Sequence, residues 1–331
     1  MATVVSAIGC SHSPMLPTNP RLWLERADQD RNNPMLYDHS GQHVTFDELE
    51  AAAGDRYAQE LDFALWERRY AECEQALDRL AHDVAAIGPE VAIVIGDDQG
   101  EAFERSSEPA VAVFWGDRWR TMILDQNAPG REPGEFYELA ARGYAMDEVF
   151  EFDGHRDLGL DVITSLVREG FDVMSVASVP EGRGFGHAFG FIIRRVLRDL
   201  QIPVVPVFLN TYYPPNQPTP ARCYDFGEAL GRAISASALE TKVLLVASGG
   251  LSHFVLDEGL DTDLLDAIAA SDSETLRSIP PELLQAGSSE IRNWIAVAGA
   301  MAGRGLVYRE YVPCYRTIAG TGCGMGFVRW E

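Results

Sequence analysis

The chain has 331 residues, 46% of them hydrophobic and 10% aromatic. That is an ordinary globular composition, with enough apolar material for a sizeable core without disulfides or a structural metal. Its formal net charge of −23 argues against nucleic acid and anionic membrane as partners, because both need a positive surface.

Thr3 to Ile8 reads as a first strand. No basic region precedes it, so it is expected to be a strand and not a signal peptide. It ends in the sharp loop Gly9-Cys10-Ser11-His12-Ser13-Pro14. His12 there has a plain role open to it, a hydrogen bond within a turn. It is also a candidate metal ligand, since imidazole is a common one. Residues 20–60 are polar and broken by Asn32-Asn33-Pro34 and Ser40-Gly41. Arg21-Leu22-Trp23-Leu24 starts a short amphipathic piece, and His39 and His43 precede Thr45-Phe46-Asp47-Glu48, which resembles a helix N-cap with an acidic first turn. This segment is expected to be a surface lid or an oligomer contact.

Leu65, Trp66, Tyr70, Cys73, Leu77, Leu80 and Val84 recur at helical spacing, which predicts a helix over 65–87. Gly88-Pro89 stops it. Val91 to Ile95 then reads as a strand buried on both faces, and Gly96-Asp97-Asp98-Gln99 follows at once. Asp caps helices and turns well. Yet in open α/β sheets ligands bind at the carboxyl ends of the strands. Further strands are expected at 110–115, 171–178, 203–209 and 243–247, and helices at 135–146, 158–169, 189–199, 224–237, 261–270 and 273–278. Residues 127–135 are expected to be a loop, and 283–302 to contain a helix opened by Gly287-Ser288-Ser289-Glu290. Gly320 to Gly326 reads as the approach to the last strand. Helices and strands alternate without a clear linker or repeat, which predicts one α/β domain.

The loops after the strands share a pattern: a glycine or small residue, then a histidine or an acid. It occurs at His12, at Asp97-Asp98-Gln99, near His187 in Gly182-Arg183-Gly184-Phe185-Gly186-His187, and at Ser252-His253. The glycines before His187 could cradle a phosphate, but no Lys-Ser/Thr follows as a P-loop requires. Histidine plus carboxylate is the ligand set of a non-haem iron site with open positions. A further histidine nearby supplies acid–base chemistry. The five cysteines are odd in number and none has CxxC spacing. They read as free, mostly buried thiols of a reducing compartment. No apolar run reaches bilayer length, and the expected location is the cytoplasm.

In order along the chain, Gly9-Cys10-Ser11-His12-Ser13-Pro14, Ile95-Gly96-Asp97-Asp98-Gln99, Gly154-His155-Arg156-Asp157-Leu158, Asn210-Thr211-Tyr212-Tyr213-Pro214-Pro215, Gly249-Gly250-Leu251-Ser252-His253 and Gly287-Ser288-Ser289-Glu290 resemble the class III extradiol ring-cleavage dioxygenases, the superfamily of the protocatechuate 4,5-dioxygenase catalytic subunit. The resemblance implies a single α/β domain over 1–331, with a central mostly parallel or mixed sheet flanked by helices. The segment 20–80 then looks like an inserted helical and loop stretch. It implies a non-haem Fe(II) enzyme, with Mn or another divalent metal as the alternative, acting with O₂ on a catechol- or gallate-like aromatic, and a homo-oligomer. His12 and Glu290 are then iron ligands, His253 the acid–base residue, and His155 and His187 line the pocket.

The family's third ligand is the histidine of an Asp-His pair, and this chain has Asp98-Gln99 there. Three outcomes stand open: Gln99 coordinates through its oxygen, Asp97 or Asp98 takes its place, or no metal binds. The last would leave a non-catalytic homologue, and a metal-dependent hydrolase or lyase on the same fold is a further alternative. Lys is scarce, so a carboxylate on the substrate would meet an Arg, whose planar fork suits it.

Overall fold

The computed structural model describes residues 1–126, 133–198 and 200–331. In chain order its elements are β1 (Thr3–Cys10), α1 (Trp23–Asp30), α2 (Phe46–Ala53), α3 (Phe63–Ile87), β2 (Val91–Gly96), β3 (Val111–Phe114), β4 (Arg118–Arg120), α4 (Glu135–Gly143), β5 (Glu151–Asp153), α5 (Arg156–Arg168), β6 (Met174–Val176), α6 (His187–Arg195), β7 (Val204–Leu209), α7 (Pro220–Ala236), β8 (Lys242–Ser248), α8 (Glu258–Ala270), α9 (Ser273–Ser278), α10 (Ile291–Ala300), β9 (Leu306–Tyr315) and β10 (Gly322–Trp330). Eight strands form one sheet in the order β6-β3-β7-β2-β8-β1-β10-β9, and β4 pairs with β5 in a separate ribbon.

The four central strands β7, β2, β8 and β1 run parallel, β10 pairs antiparallel with β1, and β9 pairs antiparallel with β10 at the edge. All four parallel strands therefore open their carboxyl ends on one edge, where the loops carrying His12, Asp97 and His253 emerge. β2 is buried along its whole length. Its alternate side chains serve two cores: Val91, Ile93 and Ile95 face the layer of α7, α8 and α10, while Ala92 and Val94 face that of α3 and α6. A strand covered by helices on both faces has no polar side, so its sequence shows an unbroken apolar run. Each valine or isoleucine buried in this way contributes about 1.5–3 kcal/mol by leaving water.

Most expected elements are present with ends displaced by a few residues. The strand expected over 171–178 shrinks to β6, three residues at the exposed end of the sheet. The expected loop over 127–135 falls largely outside the described residues, as does the last residue of the helix expected at 189–199. β9 and the β4–β5 ribbon have no counterpart among the expectations. β9 runs at the sheet edge with all of its first six residues partly or fully exposed, so charged Arg309 and Glu310 interrupt its apolar signal. Thr45 and Glu48 form a reciprocal capping box at the start of α2, as the sequence suggests.

No helix among the described residues is long and apolar enough to cross a membrane. All five cysteines are buried and free.

Candidate metal centre and substrate cleft

Each of three histidines leaves a different strand end or helix start, and each has its Nδ1 tied down. His12 follows β1, and its Nδ1 lies 2.8 Å from Ser248 Oγ at the end of β8. The Ser248 hydroxyl donates its one proton to the Ala188 carbonyl at 2.6 Å. It therefore accepts from His12, which fixes the proton on Nδ1. His187 opens α6, and its Nδ1 meets the Glu101 carboxylate at 2.6 Å. His253 follows β8, and its Nδ1 faces the Leu251 carbonyl at 2.8 Å, an atom that can only accept.

With the three Nδ1 protons assigned, the three Nε2 atoms point inward. His12 Nε2 is 3.3 Å from Glu290 Oε2, His253 Nε2 is 3.5 Å from Glu290 Oε1, and His187 Nε2 is 3.8 Å from Asp97 Oδ2. Glu290 sits where a short 3₁₀ turn enters α10. It is held by the Gly250 amide, which donates to Oε2 at 2.6 Å. Trp294 and Asn293 on α10 donate to the Gly249 and Ser248 carbonyls, so the helix start is fastened to the β8 loop.

Two glycines make room for these contacts. A Cβ on Gly186 would lie 2.2 Å from the Glu101 carboxyl carbon, and one on Gly287 would lie 2.1 Å from His253 Cδ2. Any side chain at either position displaces Glu101 or His253.

Ligand atoms of His12, Asp97, His187 and Glu290 all lie within 4.8 Å of one another. None of the four residues is more than 9% exposed. Among the described residues, His12 Nε2 and Asp97 Oδ1 are buried with no hydrogen-bond partner, which is costly unless something absent from a bare polypeptide occupies the space between them. Two ligands on one ion lie at most about 4.4 Å apart at metal–donor distances of about 2.2 Å, so small side-chain shifts close the set around an ion. The residues fit a divalent cation, and nitrogen–carboxylate sets of this kind suit iron and its neighbours.

The charge balance agrees. Burial pushes the Asp97 carboxyl up, and the Glu290 charge pushes it further. Burial also opposes charge on Glu290, but His12 and His253 hold that carboxyl well below its ordinary range. Burial pulls His187 down, yet Glu101, Asp97 and Glu290 override it and raise it to about 10. His253 is likewise raised well above its ordinary value against the pull of burial, chiefly by Glu290. The carboxylates thus favour a proton on His187 and His253, and a divalent ion would take the place of the one on His187.

The structure relocates several residues singled out in the sequence. Gln99 lines the cleft, but it turns its amide nitrogen to Asp97 Oδ2 at 3.2 Å and to His187 Nε2 at 3.4 Å. In this orientation Gln99 presents a donor to both. A second imidazole, that of His187, reaches the same group from across the sheet edge. Asp98 is not in the group: its two oxygens accept the amides of Gly100, Ala102 and Phe103, so it ties the turn after β2. An extended chain points neighbouring residues to opposite sides, which is why Asp97 faces in and Asp98 does not. His155 is outside the cleft altogether; it caps α5 through Nδ1, which accepts from the Leu158 amide. His39 and His43 make contacts to the Leu256 and Pro34 carbonyls.

The group opens into a cleft of about 250 Å³. An engineered apolar cavity of about 150 Å³ takes a benzene, so one substituted ring fits. Leu124, Tyr137, Tyr144, Tyr212 and Phe254 give it apolar and aromatic walls, and Arg26 and Arg316 contribute two guanidinium groups. α1, from the stretch expected to be a lid or contact, supplies Arg26. Glu101, Ser248, Arg26 and Arg316 escaped the sequence reading. The glycine before His187 and the acid two residues after Gln99 were the only local signs of the Glu101–His187 pair.

Residues 75–325 match the family described as the catalytic LigB subunit of aromatic ring-opening dioxygenase. The chain belongs to this family. It is accordingly an aromatic ring-cleavage dioxygenase, whose reactants are an aromatic compound and O₂. Among curated relatives, it is 26% identical over 315 residues to a 2,3-dihydroxyphenylpropionate/2,3-dihydroxicinnamic acid 1,2-dioxygenase of Rhodococcus jostii (strain RHA1), covering 76% of this chain and 96% of that one. A protein with the same description from Rhodococcus sp is 28% identical over 255 residues, or 58% of this chain and 79% of the relative. The gallate dioxygenase of Pseudomonas putida is 26% identical over 172 residues, 49% of each chain.

Proposed function

We propose that the protein opens catechol-like rings by extradiol cleavage, with Fe(II) held by His12, His187, Asp97 and Glu290 and with His253 as the acid–base residue. The convergence of buried imidazole Nε2 atoms on two carboxylates supports this reading most directly. The ion would supply Lewis acidity and one centre at which two adjacent ring oxygens and O₂ meet.

The protein's own side chains do the rest. His253 keeps its Nδ1 proton on the Leu251 carbonyl, so Nε2 is the atom that exchanges a phenolic proton, and Glu290 would hold that proton less tightly with its charge drawn on by an ion. Glu290 sits against both His12 and His253. It therefore aligns the acid–base residue with the metal centre. Glu101 and Ser248 hold the two ligand rings from behind, the role that outer hydrogen-bond partners play in metal sites generally. The tyrosines and Phe254 exclude bulk water from the ring and strengthen polar contacts within the cleft.

O₂ uptake by Fe(II)-loaded protein with a panel of catechols tests the proposal. Stoichiometric uptake with a ring-opened product is expected, and His253→Ala should retain metal while losing most turnover. No uptake by protein that binds both Fe(II) and catechols would overturn it.

A further inference from the structure

Asp30, at the end of α1, is completely buried. Its Oδ2 accepts Arg316 Nε at 2.6 Å and Thr321 Oγ1 at 2.5 Å, and its Oδ1 accepts Arg316 Nη2 at 3.0 Å. This is a two-point Arg–carboxylate pair, and it uses the carboxylate fully. Arg26 lies one turn earlier on the same face of α1. Its Nη1 reaches Asp30 Oδ1 only at 3.3 Å. Nη1 also reaches Gln29 Oε1 at 3.3 Å, an oxygen that already accepts the Tyr137 hydroxyl at 2.7 Å.

Two guanidinium groups therefore share one carboxylate, and the good geometry belongs to Arg316. Among the described residues, Nε and Nη2 of Arg26 have no hydrogen-bond acceptor. The Arg26 side chain is only 14% exposed. Its guanidinium carbon sits 5.3 Å from the centroid of the Phe254 ring, beside His253, and it lines the same cleft as His12 and Glu290. A guanidinium does not give up its proton at ordinary pH. A mostly buried cation with half its donor fork unfilled is costly until an anion meets it. Arg316, pinned by Asp30, keeps a second positive charge next to that place and leaves Arg26 no better partner within the protein.

We propose that Arg26 selects the ring substituent of the substrate and takes an anionic one, a carboxylate, on its Nε–Nη2 edge. The inference rests on the cleft being the substrate site, as proposed above. It makes Arg26 a specificity-determining residue, contributed by a helix that precedes the family-matched residues.

The test compares two acids, 3,4-dihydroxybenzoate and 3-(2,3-dihydroxyphenyl)propionate, with the uncharged 4-methylcatechol and 3-propylcatechol. Binding is measured by anaerobic titration calorimetry and turnover by O₂ uptake. At least one acid should be favoured over its uncharged counterpart by about tenfold or more, the strength of a charge-assisted two-point contact. In Arg26→Gln that ratio should fall towards one. In Arg26→Lys it should be intermediate, since the charge remains and the fork does not. Wild-type protein that binds each acid and its counterpart within about twofold, below any charge-assisted contact, would overturn the proposal without any variant. So would an Arg26→Gln protein with the wild-type ratio. Selective binding of an acid without O₂ uptake would support the role of Arg26 while contradicting the dioxygenase reading. O₂ uptake without such selectivity would do the reverse.

Discussion

Ser248→Ala probes how the His12 ring is set. Ser248 and His12 are 0% and 3% exposed, and the 2.8 Å contact is the one that fixes the proton on Nδ1. Removing the hydroxyl leaves a buried ring N–H without an acceptor, and leaves the Ala188 carbonyl without its 2.6 Å donor. An orphaned buried polar group costs about 1–3 kcal/mol. The imidazole can avoid that cost by moving its proton to Nε2, but Nε2 is the atom that faces Glu290 and the metal group. Either response weakens the centre. Loss of such an outer partner weakens metal binding by about 10–100-fold, or about 1.4–2.8 kcal/mol. The assay is an anaerobic competition between protein and a chelator for Fe(II), run beside a thermal melt. Ser248→Ala with metal affinity within about twofold of wild type, well inside that range, and an unchanged Tm would refute the reasoning.

Three further outcomes are expected. His155→Ala should leave kcat and metal affinity unchanged, because the ring only caps α5; a loss of about 0.5–2 kcal/mol in stability, measured by denaturant unfolding, is expected for a lost cap. Gly287→Ala should retain metal but lower kcat, because its Cβ would overlap His253; metal content and O₂ uptake on one sample distinguish this from misfolding. Burial raises the Asp261 carboxyl from 3.8 to about 7 against the hydrogen bonds from Ser252 and Tyr311. Its folded pKa lies above its unfolded one, so its contribution to stability is full below pH 3.8 and is lost as pH rises through 7. The slope over that interval is about 1.4 kcal/mol per pH unit at most. Asp261→Asn should flatten the fall of Tm between pH 5 and 7, and an unchanged pH profile in the variant would contradict the assignment.

Much of the fold was legible because its central strands are buried on both faces. Val91 to Ile95 and Val243 to Ala247 are unbroken apolar runs, and each ends in small or polar residues where the sheet edge opens. β9 was not legible, since an edge strand with one wet face carries charges that hide its period. His12, His253 and Glu290 were legible through short motifs at element ends. His187 was legible as a cleft residue, but its place beside Asp97 was not, because it lies 88 residues from Gln99 and only the fold brings them side by side. Asp97 and Asp98 are indistinguishable by composition. Their roles separate only when the turn after β2 points one carboxylate inward and closes the other around three backbone amides. Arg26 could not be found by sequence at all: nothing local shows that Asp30, one turn away, is already taken by Arg316, 286 residues further on.

The most direct measurement is diffraction from Fe(II)-loaded crystals at the iron edge. An anomalous peak is expected between His12 Nε2, His187 Nε2, Asp97 and Glu290, with the metal–donor distances of about 2.0–2.2 Å usual for nitrogen and oxygen ligands. Gln99 and Asp98 should stand outside that range. A peak coordinated by the Gln99 or Asp98 oxygen, with His187 beyond reach, would contradict the centre described here. The absence of any peak near His12 and Glu290 would contradict the iron-dependent reaction itself.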